Sequence, residues 1–534
     1  MKCSRRTAAG VVRATIRESR TPSFVALASV LTIVALVGAG RAEAATLSVC
    51  PSGCPYTQIA PAIAVANSGD TIQIGAGTYS GGLTINLDVR LVGAGVGETI
   101  IKGGNSVLTI GAFGATTEPT VSIDGVTITG GVARSSPESI PFARQEGIWA
   151  LGGGIEIPQN AAGTGGATVT IANSAITHNR AIPSNSDPHG FAFAGGGGID
   201  NWGTLKLTNT TVNDNHAGGR LASDAHGAGI LSWTDLTLRK SVVNDNDAIA
   251  TGPSACSTGG GGIEAFGKIA IGATSVSDNA VELSSSSNCG ESQGGGVFVQ
   301  DGGSATINEV MVSRNRVTAS SAVGDAIAFS GGIADYGQLT LQDSTLEANR
   351  VSATTTAAAG TANPTSGAIG IVDNATISDT RVTGNEVNAT ATSGAALAEA
   401  GAIQTTETTL SNSLISDNRL TASSQTGSAT VRGAGLEHGN GLLEVRNTTI
   451  SNNTANATGP SGEALGGGIW NDVFFPPPPN PQLILDNTTV TDNALTASPR
   501  ITVHGGGLFT TFPVILDHSS IAHDAPDDCF GQSC

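Results

Sequence analysis

Apolar and polar residues alternate in short runs along most of the chain, and between residues 151 and 534 these runs recur every 31 to 44 residues. Each repeat opens with a glycine run and an apolar residue, and alternating positions follow. In the second repeat Leu205, Leu207 and Val212 are apolar, and most residues between them are polar. Alternation with a period of two indicates β-strands, and glycine runs would break helices. The repeat therefore predicts a β-solenoid, in which each coil buries its apolar face against its neighbours.

An asparagine recurs at one position in ten of the eleven repeats, and Asp524 takes its place in the last. The asparagines are Asn179, Asn215, Asn246, Asn279, Asn315, Asn349, Asn385, Asn418, Asn453 and Asn493. Asparagine tolerates left-handed backbone angles, and its amide can bond the copies above and below it. We therefore expect a sharp turn at each asparagine and three short strands per coil. The variable Ala/Ser/Thr/Gly tract that follows would leave the stack as a loop.

The chain divides into three parts by composition. Residues 1–44 combine a basic stretch, an uncharged apolar run and the small-x-small sequence Ala42-Glu43-Ala44, which is typical of a secretory signal peptide. An uncleaved membrane anchor is the alternative. Residues 45–150 would form an N-terminal cap and the first coils, and residues 151–534 the repeat coils of the same solenoid. The expected location is outside the cell or on its surface, with no membrane contact after cleavage.

Charge and cysteines fit that location. The 25 basic and 43 acidic residues give a net charge of −18, which makes nucleic acid a poor partner. Six cysteines follow the leader, and none has a spacing typical of zinc sites. Three disulfides are predicted in an oxidising compartment. Their pairs are Cys50 with Cys54, Cys256 with Cys289 at the same loop position of adjacent coils, and Cys529 with Cys534.

Residues 50–79 carry a resemblance to a known family. They contain Tyr56-Thr-Gln-Ile59, Ser68-Gly-Asp-Thr-Ile-Gln-Ile74 and Gly77-Thr-Tyr79, and Ile59 shares one face of a short helix with Ala62, Ile63 and Ala66. This stretch resembles the N-terminal cap and first coil of right-handed parallel β-helix proteins with the pectin-lyase-like fold. The glycine and asparagine repeats are similar to those of bacterial β-helix repeat proteins and polymorphic outer-membrane proteins.

The resemblance spans residues 50–534 and implies an all-β fold. That fold is a single-stranded right-handed parallel β-helix, a pectin-lyase-like solenoid, with a short N-terminal capping helix. Because lyases, hydrolases, esterases and adhesins share this fold, the resemblance leaves the function open.

One aromatic column is a candidate binding surface. Three positions after the opening apolar residue stand Trp202, Trp233, Phe266, Gln300 and Tyr336 in successive coils. Carboxylates lie nearby, namely Asp200, Glu264 and Asp335. Aromatic faces beside carboxylates are suited to a polysaccharide, since rings stack on sugars and carboxylates bond hydroxyls. The alternative is an aromatic ladder that only stabilises its own turn.

A second column contains Asp214, Asp245 and Asp278, followed by Arg314 in the next coil. Three carboxylates at the coil spacing of ~5 Å would repel unless they were paired or bridged. Calcium would bridge them through oxygen ligands. Alternatively, the side chains spread into solvent and Arg314 pairs with the last.

Histidines offer weaker candidates for acid–base chemistry. Asp187, His189, His216, Asp224 and His226 fall in neighbouring loops, but their spacing fixes no geometry. A further Asp-His pair is similar to a segment of pectate lyases. Aligned with the repeat, however, its members, Asp517 and His518, occupy the ordinary positions of Asp486 and Asn487.

These patterns together predict a secreted or cell-surface monomer that binds a polysaccharide or another surface component without catalysis. The alternative is a polysaccharide lyase or glycoside hydrolase of the pectin-lyase-like group. The two differ in whether Asp200, Glu264 and Asp335 converge on one cleft with a basic residue.

Overall fold

A computed structural model describes most of the chain after the predicted leader. The described ranges are 44–134, 147–184, 191–220, 222–252, 255–286, 290–473 and 482–531. Ala45–Cys534 form one compact unit. The predicted signal peptide, apart from Ala44, lies outside the described residues. Within them, no helical segment has the length and apolar character of a membrane span.

The described residues contain one helix, α1 (Ile59–Val65), and five parallel sheets, which we number in the order in which a coil passes through them. Sheet 1 has 14 described strands: Leu83–Ile85, Leu108–Ile110, Ile155–Ile157, Ile199–Asn201, Ile230–Ser232, Ile263–Ala265, Val297–Val299, Ile333–Asp335, Ile369–Ile371, Ile403–Thr405, Leu436–His438, Ile469–Asn471, Leu508–Thr510 and Cys529–Gly531. Sheet 2 has 15: Thr46–Val49, Asp70–Ile74, Val89–Val92, Thr120–Asp124, Thr168–Ala172, Thr204–Thr208, Leu236–Arg239, Lys268–Gly272, Ser304–Asn308, Gln338–Gln342, Asn374–Ser378, Glu407–Ser411, Leu442–Arg446, Gln482–Asp486 and Val514–Asp517. Sheet 3 has 14: Gly77–Ser80, Thr99–Lys102, Thr127–Thr129, Ala175–Thr177, Thr211–Asn213, Val242–Asn244, Ser275–Ser277, Met311–Ser313, Thr345–Glu347, Arg381–Thr383, Leu414–Ser416, Thr449–Ser451, Thr489–Thr491 and Ser520–Ala522.

The remaining two sheets contain 11 described strands each. Sheet 4 consists of Val132–Ala133, Arg180–Ala181, His216–Gly219, Asp247–Gly252, Ala280–Ser285, Arg316–Ser321, Arg350–Thr355, Glu386–Ala391, Arg419–Ser424, Thr454–Thr458 and Ala494–Ala497. Sheet 5 consists of Gly147–Leu151, Phe191–Gly195, Asp224–His226, Ser257–Gly259, Glu291–Gln293, Ala326–Phe329, Thr361–Thr365, Ala395–Glu399, Ser428–Arg432, Ser461–Leu465 and Thr502–His504.

Sheets 1, 2 and 3 enclose the main core. Each strand pairs in parallel with its equivalent one coil away, so that Ile230 lies between Ile199 and Ile263 in sheet 1. Isoleucine, leucine and valine from these three sheets form one continuous buried cluster along the solenoid. The prediction of an all-β, right-handed parallel β-helix is confirmed.

The prediction of three strands per coil is wrong for the repeat region, because the variable tract does not leave the stack as a loop. It forms sheets 4 and 5, which pack on each other around a second core made largely of alanine. In the strand Arg316–Ser321 the buried residues are Val317, Ala319 and Ser321, and the residues between them face outward. Small residues at every second position thus allow sheets 4 and 5 to pack on each other.

The recurring asparagines form a buried ladder, as predicted. Asn315 is fully buried, and its Nδ2 donates to Asn349 Oδ1 at 3.0 Å and to the carbonyl oxygen of Val276 at 2.9 Å. The same bonds recur from Asn179 to Asn493, and Asp524 Oδ1 accepts the last of them at 2.9 Å. The asparagine holds neighbouring coils in register.

The turn geometry differs from the prediction by one position. The left-handed backbone belongs to the residue before each asparagine, such as Asp214 at φ 53°, Asp245 at φ 53° or Arg314 at φ 54°. The asparagine itself points inward. Asp, Asn, His and Gly dominate this preceding position because they tolerate positive φ best.

The N-terminal region contains the predicted short helix. In α1, Ile59 and Ala62 are buried in the main core. The shielding of the first strands by α1 stays a prediction. The predicted disulfide between Cys50 and Cys54 is present, with a Cα–Cα distance of 5.5 Å.

Cys256 and Cys529 are also disulfide-bonded. Their predicted partners, Cys289 and Cys534, lie outside the described residues, so these two pairings stay predictions.

Candidate functional site

The side chains with the most distinctive chemistry lie where sheet 5 turns into sheet 1, a region we call the corner. Its surface consists of the last and third-last positions of the sheet 5 strands, the middle positions of the sheet 1 strands and the aromatic column that follows. In sheet 1, Ile263 and Ala265 face the main core, so Glu264 between them points to the opposite face. Side chains from sheet 5 then cover this face.

The glycine run makes this corner possible. Gly260 has φ 56°, and a Cβ there would lie 2.6 Å from Cβ of Glu264. A side chain at Gly260 would displace the glutamate, whereas Ser330, Ser366 and Ala400 adopt the same positive φ in coils that have no glutamate at the position of Glu264. The glycines therefore allow the chain to bend sharply between the two sheets while side chains from both meet outside the turn.

The corner contains all four tryptophans of the chain. Trp202, Trp233 and Phe266 stack as predicted from the sequence, with ring centroids 4.5 Å and 4.4 Å apart and planes within 13° of parallel. Trp202 is 5% exposed, whereas Trp233 and Phe266 are half-buried. Trp149 packs on Phe193 of the next coil in sheet 5 at 4.6 Å.

This stacking limits how the column can hold a sugar. Each inner face is covered by the neighbouring ring and Trp202 is almost fully buried, so mainly the edges of Trp233 and Phe266 remain for a ligand. Tyr336 lies in the same column but outside the ladder, since its ring contacts Phe298 at 5.4 Å and Phe329 at 5.6 Å. The aromatic column is therefore first a structural ladder, with an aromatic edge along the corner.

The three predicted carboxylates do not converge. Asp200 and Glu264 occupy one column on the outward face of sheet 1, and Asp200 Oδ1 accepts a hydrogen bond from Trp233 Nε1 at 3.1 Å. Asp335 stands one position further along its strand, between Val299 and Ile371 of the main core. Since alternate strand residues face opposite sides, its side chain points into the solenoid. The grouping of Asp335 with the other two is wrong.

Glu264 is the centre of a buried polar network. Its Oε2 lies 2.8 Å from Nδ1 of His226, and its Oε1 accepts a hydrogen bond from Gln300 Nε2 at 2.7 Å. Phe193 stacks on the other side of the His226 ring at a centroid distance of 5.3 Å. Both carboxylate oxygens are thus engaged, and the imidazole is held in one orientation.

The surroundings of His226 and Asp224 shift the pKa values of both side chains. Burial alone would lower the pKa of His226, but the charges of Glu264 and Asp224 and the hydrogen bond that His226 donates to Glu264 outweigh it and raise the pKa above its ordinary value. Burial raises the pKa of Asp224. With Nδ1 fixed by Glu264, Nε2 is the atom through which His226 could exchange a proton.

A second polar cluster lies in the same corner, five coils further along, and was not predicted from the sequence. Arg432 at the end of a sheet 5 strand pairs with Glu399 one coil below, at 3.3 Å, and its guanidinium lies 5.4 Å from the ring centroid of Trp470. Glu437, in the sheet 1 column of Glu264, accepts a hydrogen bond from Gln404 Nε2 at 3.2 Å through Oε2. Burial raises the pKa of Glu437 well above its usual range, and the charge of Glu399 adds to the shift.

The predicted calcium column lies away from the corner and is held by other contacts. Arg314 donates to both carboxylate oxygens of Asp278, at 2.8 Å and 2.6 Å, and thereby lowers the pKa of that carboxyl group. Asp214 and Asp245 each accept a hydrogen bond from the asparagine before them. The left-handed backbone favours aspartate at these positions, and calcium binding to the column stays a prediction.

Among the described residues, one further set of possible metal ligands lies close together, with one member half-buried and two exposed. Ligand atoms of Asp486, Asp517 and His518 lie within 4.8 Å of one another. His518 has φ 47°, similar to the 50° of Asn487 one coil below, in agreement with the alignment of this segment as an ordinary turn.

The histidines that the sequence places in neighbouring loops do not form one cluster within the described residues. Asp187 and His189 lie outside the described residues. His216 pairs with Asp247 of the next coil at 2.7 Å. Only Asp224 and His226 reach the corner.

Comparisons with known proteins add little beyond the fold. No protein-family model and no curated protein matches the chain. Among solved structures, it is similar to two Azotobacter vinelandii mannuronan C-5 epimerase A-modules. For that of AlgE6 the identity is 14% over 85% of this chain and 93% of that one, with a TM-score of 0.28. For that of AlgE4 it is 14% over 87% and 94%, with a TM-score of 0.26.

A polygalacturonase from Erwinia carotovora ssp. carotovora is also similar, with 10% identity over 88% of this chain and 98% of that one and a TM-score of 0.24. These likenesses concern the fold alone. The resemblance to repeats of polymorphic outer-membrane proteins stays an expectation.

Proposed function

We propose that the protein binds a polysaccharide along the corner, without cleaving it. The observation that carries this proposal is the concentration of all four tryptophans and two buried acid clusters on a single edge of the solenoid. Aromatic edges supply apolar contact, and Gln300 and Arg432, which are partly exposed, supply polar groups for hydroxyls. Groups along this edge recur at the coil spacing of about 4.8 Å, which suits an extended polymer.

Other expectations join this proposal. The leader-like residues 1–44 and the disulfides support export of the protein, and we propose that it acts outside the cell as a monomer. The excess of acidic groups, with a net charge of −18, favours a neutral polymer over a polyanion.

Replacing Phe266 by alanine is expected to weaken polysaccharide binding about tenfold, because the half-buried end of the ladder would lose its aromatic contact with the ligand. Binding can be measured by affinity electrophoresis and calorimetry with mixed-linkage β-glucan, galactomannan, alginate and polygalacturonate. Val242→Ala is the matched control, since Val242 is an exposed apolar residue (37%) on sheet 3, in the coil of Trp233. A wild-type protein that binds none of the four polymers would refute the proposal.

The His226–Glu264 pair favours a second candidate function, acid–base cleavage of the bound polymer. A carboxylate that orients an imidazole through Nδ1 leaves Nε2 free to donate or accept a proton at the substrate. The raised pKa of His226 would keep this group protonated, as a general acid, up to a higher pH than an ordinary histidine.

The two candidates are separated by His226→Gln. If the second function holds, wild-type protein releases new reducing or unsaturated ends from one of the four polymers, and the variant loses at least about a hundredfold of that rate while still binding. If wild-type protein shows binding and no new ends, the first function stands alone. Asp235→Asn, an exposed change in the next coil, controls for altered charge.

A further inference from the structure

The second polar cluster of the corner contains two buried groups whose hydrogen-bonding capacity is not used within the described part of the chain. Glu437 is fully buried, and its Oε1 has no hydrogen-bond partner there. The same is true of Nε of Arg432, which is also buried. An unsatisfied buried polar atom destabilises the folded state, so two of them in one cluster require a reason.

The carboxylate and amide groups that neighbour these two atoms are engaged within the cluster. Glu399 Oε1 pairs with Arg432 Nη1 at 3.3 Å. Glu399 Oε2 lies 3.3 Å from the amide nitrogen of Asn363, in the amide orientation that satisfies both polar atoms of Asn363. Gln404 bonds Oε2 of Glu437.

The two atoms without a hydrogen-bond partner are one acceptor and one donor, and they belong to a cluster that contains an aromatic ring. Oε1 of Glu437 can accept a hydrogen bond, or donate one when the carboxyl group is protonated, and Nε of Arg432 donates. Trp470 is beneath the guanidinium. Vicinal hydroxyls of a sugar can accept from one group and donate to the other, whereas a simple cation or anion would satisfy only one of them. The side chain of Arg432 is 31% exposed, so the cluster is open to solvent on that side.

The second polar cluster lies in line with the cluster around Glu264. Glu264 and Glu437 occupy the same sheet 1 column, five coils apart. At about 4.8 Å per coil the separation is about 24 Å. A single extended chain lying along the corner would reach both.

We propose that Glu437, Arg432 and Trp470 form a second sugar-binding subsite, and that one neutral polysaccharide chain occupies it together with the aromatic ladder. This inference rests on the proposed function and adds a second point of attachment. Two linked sites raise the affinity for a long chain well above that for a short one, because the second contact becomes intramolecular.

The test compares two substitutions of one residue. Glu437→Leu removes the open oxygen and keeps the volume, and replacing a buried charged group by an apolar one of similar size is often neutral for stability. Glu437→Gln keeps an acceptor and a donor at the same place. Binding is measured for full-length mature protein with mixed-linkage β-glucan, galactomannan and size-fractionated oligosaccharides of each.

The expected result is a loss of about tenfold or more in affinity of Glu437→Leu for the long polymer, with little change for Glu437→Gln and little change for the shortest oligosaccharides. Arg432→Gln should behave like Glu437→Leu, and it is the second variant should Glu437→Leu fold poorly. Equal affinities of wild type, Glu437→Leu and Arg432→Gln for the long polymer would overturn the inference and leave the open atoms to ordered water. That outcome is distinct from failure of the proposed function, in which wild-type protein binds no polymer.

Discussion

Replacing Asp335 by asparagine is expected to stabilise the protein above about pH 8 by up to about 4 kcal/mol, and to change its stability little near pH 4. Burial raises the pKa of Asp335 from 3.8 to about 7, with a smaller contribution from the charge of Asp373. The backbone N–H of Gly337 offsets only part of this shift. Asparagine fits the position, since Asn201 and Asn471 occupy the same strand position in other coils.

The sign follows from the proton that the folded state retains. Because the pKa of Asp335 is higher in the folded than in the unfolded chain, the unfolded chain releases this proton first as the pH rises. The free energy of unfolding therefore falls between about pH 4 and pH 7 and is lowest above that range. Asp335→Asn removes this dependence, so the variant should gain stability over wild type as the pH rises through the same range.

Thermal melts followed by circular dichroism at several pH values would measure the effect. The control is Asp301→Asn, which removes one negative charge from an exposed turn of the neighbouring coil. A variant whose advantage over wild type is the same at pH 4 and pH 8, or no larger than that of the control, would contradict the assignment of a buried protonated carboxyl group.

The sequence prediction that Asp335 lies beside Asp200 and Glu264 is wrong because successive residues of a strand face opposite sides of the sheet. Asp200 and Glu264 follow their opening isoleucines by one residue, whereas Asp335 follows Ile333 by two. A shift of one residue along a strand moves a side chain to the other face of the sheet. The aromatic column was found because its members share one offset from the repeat, and the same count excludes Asp335 from the outward carboxylates.

Sheets 4 and 5 are not predicted from the sequence, for a different reason. Their inward positions are mostly alanine, which has low strand propensity and gives a weak contrast with serine and threonine. The strand Glu386–Ala391, for example, buries Val387, Ala389 and Ala391 within a tract that is typical of a loop by composition. The alternation is present in the sequence, but its amplitude is small.

The second polar cluster could not be located without those two sheets. Arg432 and Glu437 are separated by a turn containing Gly433 and Gly435, and Glu399 belongs to the preceding coil. Their proximity depends on the end of a sheet 5 strand facing the middle of a sheet 1 strand. Once the sheets are known, the alignment of Glu437 with Glu264 is readable from the repeat.

The asparagine ladder provides the other large expected effect. Replacing Asn315 by alanine should destabilise the solenoid by about 3–5 kcal/mol, because several buried groups lose their partners at once. Asn315 Oδ1 accepts from the backbone N–H of Asn279 at 3.1 Å and from its Nδ2 at 2.9 Å. Asn315 Nδ2 donates to Asn349 Oδ1 and to the carbonyl oxygen of Val276. The backbone at Asn315 is not left-handed, so alanine adds no strain of its own.

Denaturant unfolding followed by fluorescence of the nearby corner tryptophans would measure this loss. The matched control is Asn374→Ala, an exposed asparagine at the start of a sheet 2 strand, which should change the free energy of unfolding by less than about 0.5 kcal/mol. The double variant Asn315→Ala, Asn349→Ala should cost less than the sum of the two single variants, because the pair shares hydrogen bonds. Strict additivity, or a cost for Asn315→Ala no greater than that of the control, would show that the stacked amides do not hold the coils together and that the two cores alone stabilise the solenoid.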